Sequence, residues 1–172
     1  SDRLVIFVSW FAMLTSLIAV SRITRSLGGS LRSQLLAAVF LGTLPMGIIQ
    51  ASSTIADYVV AVWIVCAAGE IVDVIVNGFR SDRLIFLSLA AGLALLTKPT
   101  AGPFLAPLAV LLAAFLLVTI KLRRSLVWGL LALALVITIN AGHLTRNLIV
   151  YGNPISNQNQ ITLHRNQLPN LQ

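Results

Sequence analysis

Long stretches without a charged residue are the feature that most limits how this chain can fold. An α-helix rises about 1.5 Å per residue, so about 20 apolar residues cross the hydrocarbon core of a bilayer. Strands of a membrane β-barrel would instead alternate polar and apolar residues, and that alternation is absent. The uncharged runs are Leu4–Ser21, Ser33–Ala56, Tyr58–Gly69, Leu84–Thr97, Pro99–Ile120 and Ser125–Thr145.

These runs predict an all-α, polytopic transmembrane helix bundle of about six helices. The third run is long enough only if its helix continues through Val76, past Glu70 and Asp73. The fourth run is short and is closed by Lys98 and Pro99, so the fourth and fifth helices are candidates for a tight, broken pair.

The composition excludes several other classes of protein. Of the 172 residues, 58% are hydrophobic and 10% are charged, against about 25% charged in an average soluble domain. This excludes a disordered chain and an ordinary soluble enzyme, and the single Cys66 permits no internal disulfide. The net charge of +7 would suggest nucleic acid in a soluble protein. Here most of the excess lies in short gaps between apolar runs, so we expect the bilayer as partner and no nucleic acid.

The distribution of basic residues predicts the orientation in the membrane. Alternate gaps hold eight of the twelve Lys and Arg residues: Arg22, Arg25, Arg32, Arg80, Arg83, Lys121, Arg123 and Arg124. Short cytoplasmic loops carry such an excess, so we place these gaps in the cytoplasm. The opposite, outer side then has Arg3, Lys98, Arg146 and Arg165. We expect a multi-pass protein of the plasma or inner membrane.

The chain divides into a long apolar part and a shorter polar part at its C-terminal end. Residues 1–142 are predicted to be the transmembrane segment, and the Asn- and Gln-rich residues 143–172 the start of an extracytoplasmic segment. The chain begins with Ser1 and Asp2, without the basic start of a signal peptide. We therefore expect a piece from the middle of a longer membrane protein.

Asp57 is the most informative candidate for a functional residue. It follows a polar stretch, residues 50–54, between two apolar runs on the predicted outer side. A carboxylate at a helix start can cap backbone N–H groups and complement the helix dipole. It can equally line a site that binds a metal or a substrate hydroxyl. Both interpretations stay open.

Other polar residues have a structural and a functional interpretation. Glu70 and Asp73 share a helix face and suit an ion-pair cluster with Arg80 or Arg83, or else a proton or ion relay. Lys98 is either an interfacial anchor or a point charge for a phosphate.

His143 and Arg146 follow the last apolar run and lie three residues apart. They share a face if the helix continues. Arg suits bidentate phosphate binding, and His suits a metal ion or proton transfer; each also suits an interfacial anchor. The sequence has no GxGxxG, Walker A, HExxH or Cys/His pattern that would hold a soluble nucleotide or a metal.

The order of these features resembles a known family of membrane enzymes. The basic turn Arg22–Arg32 is followed by Leu44-Pro45 with Asp57, then by Gly92-Leu93-Ala94-Leu95-Leu96-Thr97-Lys98, and finally by Arg146-Asn147 with Gly152-Asn153-Pro154. This order resembles the C-type superfamily of glycosyltransferases, which includes the dolichyl-phosphate-mannose protein mannosyltransferases and bacterial relatives. Pro99 stands where that family usually has Gly.

The resemblance implies an inverting transfer of a sugar from a polyprenyl-phosphate donor to a protein, lipid or glycan acceptor outside the cytoplasm. It implies that Asp57 has a catalytic role or lies near the acceptor. It places Lys98 and Arg146 on the lipid-phosphate side and makes His143 a candidate ligand for a divalent metal ion, the one cofactor expected. The family's first outer loop, with the acidic residue expected to act as base, would precede Ser1. The 172 residues alone are therefore expected to be inactive.

Two other classes of function stay open from the sequence. In a transporter or flippase segment, Glu70 and Asp73 would be the coupling carboxylates. Inverted repeats would support that class, and the sequence shows none. A non-catalytic membrane subunit that only binds partners is the third possibility.

Overall fold

The computed structural model describes residues 2–53 and 56–153 and is all-helical there. Arg165 and most of the predicted outer segment 143–172 lie outside the described residues. The helices are α1 (Asp2–Ser26), α2 (Leu31–Gly42), α3 (Pro45–Ala51), α4 (Asp57–Asn77), α5 (Ser81–Thr97), α6 (Gly102–Thr119) and α7 (Leu122–Tyr151), with a 3₁₀ turn at Pro99–Ala101 between α5 and α6. The predicted all-α bundle is confirmed.

Several of these helices have the length and composition of membrane spans. Within the described residues, four helical segments are long and apolar enough to cross a membrane: Ile6–Ser26, Asp57–Asn77, Pro99–Thr119 and Leu122–Tyr151. The number rises to five if α2 and α3 together count as one broken span. These are the dimensions of an integral membrane protein with several spans.

The prediction of one continuous helix over Ser33–Ala56 was wrong. The helix breaks after Gly42, and α2 and α3 are bent by 67° relative to each other. Pro45 explains the break, because its ring disfavours the helical conformation at the preceding residue. Leu44 is indeed extended (φ −64°, ψ 118°), and Pro45 then occupies the first turn of α3, where its missing N–H costs nothing.

The last helix also differs from its predicted run. The apolar run ends at Thr145, but α7 continues to Tyr151. A charged residue such as Arg146 ends an apolar run without ending a helix, since Arg is a good helix former. The helix stops at Gly152, whose left-handed backbone (φ 67°) is the usual C-terminal cap.

Helix α4 lies between α1 and α5, and α5 in turn packs against α7. The main core joins α4, α5 and α6 through Ala67, Ile71, Val74, Leu84, Leu87, Ala90, Leu112 and Leu116. Two glycines let the helix axes approach closely, as small residues do in membrane bundles. Gly69 on α4 faces Ile23 of α1, and Gly92 on α5 faces Ile139 of α7.

The turns that carry most of the basic residues lie together at one end of the bundle. Ser26, at the end of α1, donates a hydrogen bond to Asp73 near the end of α4. The guanidinium of Arg124, at the start of α7, stacks over the ring of Phe79, between α4 and α5. We call this end of the bundle the basic end. Asp57, at the opposite end of α4, lies about 30 Å away at 1.5 Å per residue.

Candidate functional site

Asp57 and Lys98 meet at the end of the bundle away from the basic end. The Nζ atom of Lys98 donates a hydrogen bond to Oδ1 of Asp57 and forms an ion pair with it. The side chain of Lys98 is 43% exposed and that of Asp57 is 35% exposed, so the pair is accessible and does not lie in the core. Two residues singled out separately in the sequence therefore form one charged site.

Local sequence explains why both residues lie at helix ends. Asp57 is the first residue of α4, where unpaired backbone N–H groups and the helix dipole favour a carboxylate. Lys98 follows the last residue of α5 and is extended (φ −157°, ψ 120°), as a residue before a proline prefers to be. Pro99 thus ends α5 and leaves Lys98 at the turn, from which it reaches α4.

The half of α7 away from the basic end carries a second group of polar side chains. Asn140 is buried, and its Nδ2 donates to the carbonyl oxygens of Gly92 on α5 at 3.1 Å and of Val136 at 2.9 Å. One turn further, Nε2 of His143 lies 3.1 Å from Nδ2 of Asn147. The helix does continue through His143 and Arg146, so the condition for a shared face is met.

The structure does not bring His143 or Arg146 into contact with the Asp57–Lys98 pair. Helix α7 packs against α5, whereas Asp57 belongs to α4 on the other side of α5. Arg146 is exposed, and the described part of the chain records no ion pair for it. The four predicted site residues therefore divide into a bonded pair and two residues on a neighbouring helix.

A cavity of about 270 Å³ lies between the halves of α5 and α7 that are away from the basic end. It begins next to Lys98, since Pro99 and Leu95 form one side of it. Asn140 and His143 are the polar residues of its wall. The remaining lining residues are Val136, Ile137 and Leu144.

His143 was predicted as a metal ligand, so the side chains around it that could also bind a metal matter. Across residues 2–53 and 56–153, no three His, Cys, Asp or Glu side chains come together as a metal site. The His143 ring is hydrogen-bonded to Asn147, and Asp57 is paired with Lys98. His143 and Asp57 are thus each engaged by another side chain, and within the described residues they do not belong to a shared set of metal ligands.

Glu70 and Asp73 form an ion-pair cluster near the basic end. Nη1 of Arg83 lies 3.1 Å from Oε2 of Glu70 and 3.0 Å from Oδ2 of Asp73. Asp73 also accepts hydrogen bonds from Ser26 at 3.0 Å and from Asn77 at 2.9 Å. The predicted pairing with Arg83 is confirmed.

Arg80, the other arginine considered for that cluster, is paired elsewhere. Its Nη2 atom lies 2.8 Å from Oδ2 of Asp82, two residues along the chain, and both side chains are largely exposed. The cluster that joins α4 to α5 therefore depends on Arg83.

Asn140 is the site residue that the sequence interpretation missed. It was counted as part of the uncharged run Ser125–Thr145. A single Asn among the apolar residues of a membrane helix is nevertheless a signal, because its amide needs a partner that lipid does not supply. That signal indicates a helix contact without saying which helix provides it.

No family model, no curated protein and no solved structure matches this chain. The glycosyltransferase resemblance therefore depends on the motifs quoted above.

Proposed function

We propose that this chain is the membrane part of a glycosyltransferase that moves a sugar from a polyprenyl-phosphate donor to an acceptor on the extracytoplasmic side. The acceptor is a protein, a lipid or a glycan. The basic end faces the cytoplasm, and the Asp57–Lys98 pair faces outward, as the positive-inside rule predicts. The membrane is the plasma or inner membrane.

The observation that carries the proposal is the pairing of Asp57 with Lys98. Sugar transfer from a lipid phosphate needs a group that accepts the proton of the acceptor hydroxyl and a cation that stabilises the leaving phosphate. A carboxylate and an ammonium group held side by side at an accessible end of the bundle provide both. The contact is compatible with the motif resemblance, which implied that Asp57 lies on the acceptor side and Lys98 on the lipid-phosphate side.

The proposed chemistry is a single displacement at the anomeric carbon. The acceptor oxygen forms a bond to that carbon while the bond from the carbon to the phosphate oxygen breaks. The electron pair leaves with the phosphate, whose charge Lys98 neutralises. The hydroxyl proton goes to the carboxylate of Asp57.

Arg146 and His143 have secondary roles in this proposal. Arg146 is exposed on α7, at the same end of the bundle, and is free to bind phosphate oxygens of the donor. His143 is hydrogen-bonded to Asn147, which orients its ring toward the α5–α7 cavity. Binding by Arg146 requires the donor phosphate to lie beside the outer end of α5.

The structure offers less support for a transporter. Coupling carboxylates must exchange a proton or ion during transport, but Glu70 and Asp73 are both engaged by Arg83, and Asp73 has two further partners. Those contacts favour a structural role. We therefore rank the transporter behind the enzyme.

A transfer assay with defined donors tests the proposal. Membranes that contain the longest natural form of the protein are incubated with a series of radiolabelled polyprenyl-phosphate hexoses, and label is followed from the lipid into acceptor. We expect transfer from at least one donor, and no transfer when the donor is confined to the leaflet at the basic end of the protein in sealed vesicles. Failure of every donor, with uptake of the intact lipid into vesicles instead, would contradict it.

A further inference from the structure

The amide of Asn140 has a hydrogen-bond acceptor left over. Asn140 is 7% exposed, and both bonds recorded for it run from Nδ2 to carbonyl oxygens. Only the NH₂ group of an amide can serve two carbonyls, so this orientation is chemically required. Among the described residues no donor is recorded for Oδ1. Since no fully buried side-chain oxygen there lacks a partner, Oδ1 retains some exposure, and Asn140 lines the α5–α7 cavity.

His143 supplies the matching donor on the same face of α7. An amide NH₂ only donates, so Nδ2 of Asn147 makes Nε2 of His143 the acceptor of their 3.1 Å bond. A neutral imidazole then carries its proton on Nδ1. His143 lies three residues after Asn140, and both line the α5–α7 cavity. The cavity wall therefore offers one acceptor and one donor among apolar side chains.

The depth of Asn140 makes the unused acceptor costly. Asn140 lies about 27 Å from the start of α7 and about 17 Å from its end, at 1.5 Å per residue. A hydrocarbon core about 30 Å thick includes this residue wherever the core falls along the helix. Lipid chains cannot hydrogen-bond an amide oxygen, and leaving it unpaired there is unfavourable.

We infer that the α5–α7 cavity binds a small, membrane-soluble alcohol. The hydroxyl group donates to Oδ1 of Asn140 and accepts from Nδ1–H of His143, while the hydrocarbon body contacts Leu95, Ile137 and Leu144. A cavity of about 150 Å³ accommodates benzene, so about 270 Å³ accommodates a larger apolar body with one hydroxyl. This binding site lies beyond the proposed transferase function and does not depend on it.

Photolabelling of the full chain in lipid nanodiscs tests the inference. The probe is octanol bearing a diazirine, and its control is octane bearing the same diazirine. We expect the alcohol to label peptides from the end of α5 and from residues 136–144 at about tenfold lower concentration than the alkane, with competition by 1-octanol, because one buried hydrogen bond corresponds to about that factor. Equal labelling by both probes, without competition, would show ordinary lipid contact and overturn the inference.

Three variants locate the hydroxyl. Asn140→Leu removes the acceptor and should lower labelling by the alcohol about tenfold. Leu144→Phe fills the cavity with Asn140 intact and should have a similar effect, which keeps the test decisive if Asn140→Leu does not fold. Thr138→Val removes an exposed hydroxyl that bonds its own helix and should leave labelling unchanged. Wild-type labelling of both Asn140→Leu and Leu144→Phe would contradict the site.

Discussion

Asn140 on α7 donates a hydrogen bond to the carbonyl oxygen of Gly92 on α5, at a distance of 3.1 Å. The two helices are so close at this point that a Cβ atom on residue 92 would lie 2.7 Å from Cδ1 of Ile139. The missing side chain of Gly92 therefore permits the approach, and the amide of Asn140 fixes the register of α7 against α5. This contact places the cavity and His143 next to the turn that carries Lys98.

Enlarging residue 92 should loosen the contact between α5 and α7. In Gly92→Leu the side chain meets Ile139, and overpacking of this kind costs about 1–3 kcal/mol. We expect a lower melting temperature in detergent. Gly129→Ala is the matched control on α7, because a Cβ there has no neighbour within 4 Å. Equal melting temperatures for Gly92→Leu and the wild type would mean that the helices are not in close contact.

Removing Arg83 should destabilise the basic end of the bundle. Arg83→Met leaves Glu70 and Asp73 as neighbouring carboxylates, with 15% and 13% of their side chains exposed. Uncompensated charges at such positions cost about 1–3 kcal/mol after allowance for partial solvation. Thermal unfolding in detergent measures the effect. Arg80→Met removes an exposed pair with Asp82 and should leave the melting temperature unchanged.

A second substitution should separate charge from shape at the same cluster. Adding Glu70→Gln to Arg83→Met removes one of the two carboxylates and should restore part of the lost stability. The double-mutant cycle then gives a coupling energy between residues 70 and 83. Additive effects of the two substitutions would mean that the 3.1 Å contact contributes no stability.

The two ends of α7 should be accessible from opposite sides of the membrane. Single cysteines at Arg123 and Tyr151, in a Cys66→Ala background, are labelled with a membrane-impermeant maleimide. We expect Tyr151→Cys to react in intact cells and Arg123→Cys only after the membrane is opened. The reverse pattern would invert the orientation, and reaction of both in intact cells would exclude a span by α7.

The helices could be predicted from the apolar runs. Errors arose where a helix boundary depends on a property other than hydrophobicity. The run of α4 continues past Glu70 and Asp73 because Arg83 neutralises both. The break at Leu44 was hidden because Pro45 lies within an uncharged stretch. Hydropathy measures transfer to lipid and is insensitive to a missing N–H group.

The individual residues of the candidate site could be predicted from the sequence, but the contacts between them could not. Asp57 and Lys98 were each identified from their positions between apolar runs, yet they lie 41 residues apart in the chain. Their contact depends on how α4 packs against α5, which a periodic pattern does not determine. The role of Asn140 depends in the same way on which helix faces it.

The most direct test of the central claim is the rate of sugar transfer by Asp57→Asn in the full-length protein. Asparagine keeps the shape of the side chain but removes the charge that pairs with Lys98 and the capacity to accept a proton. We predict a fall of about 100-fold or more, with unchanged membrane insertion and with wild-type transfer by the control Asp82→Asn. Transfer by Asp57→Asn at the wild-type rate would contradict the assignment of this site.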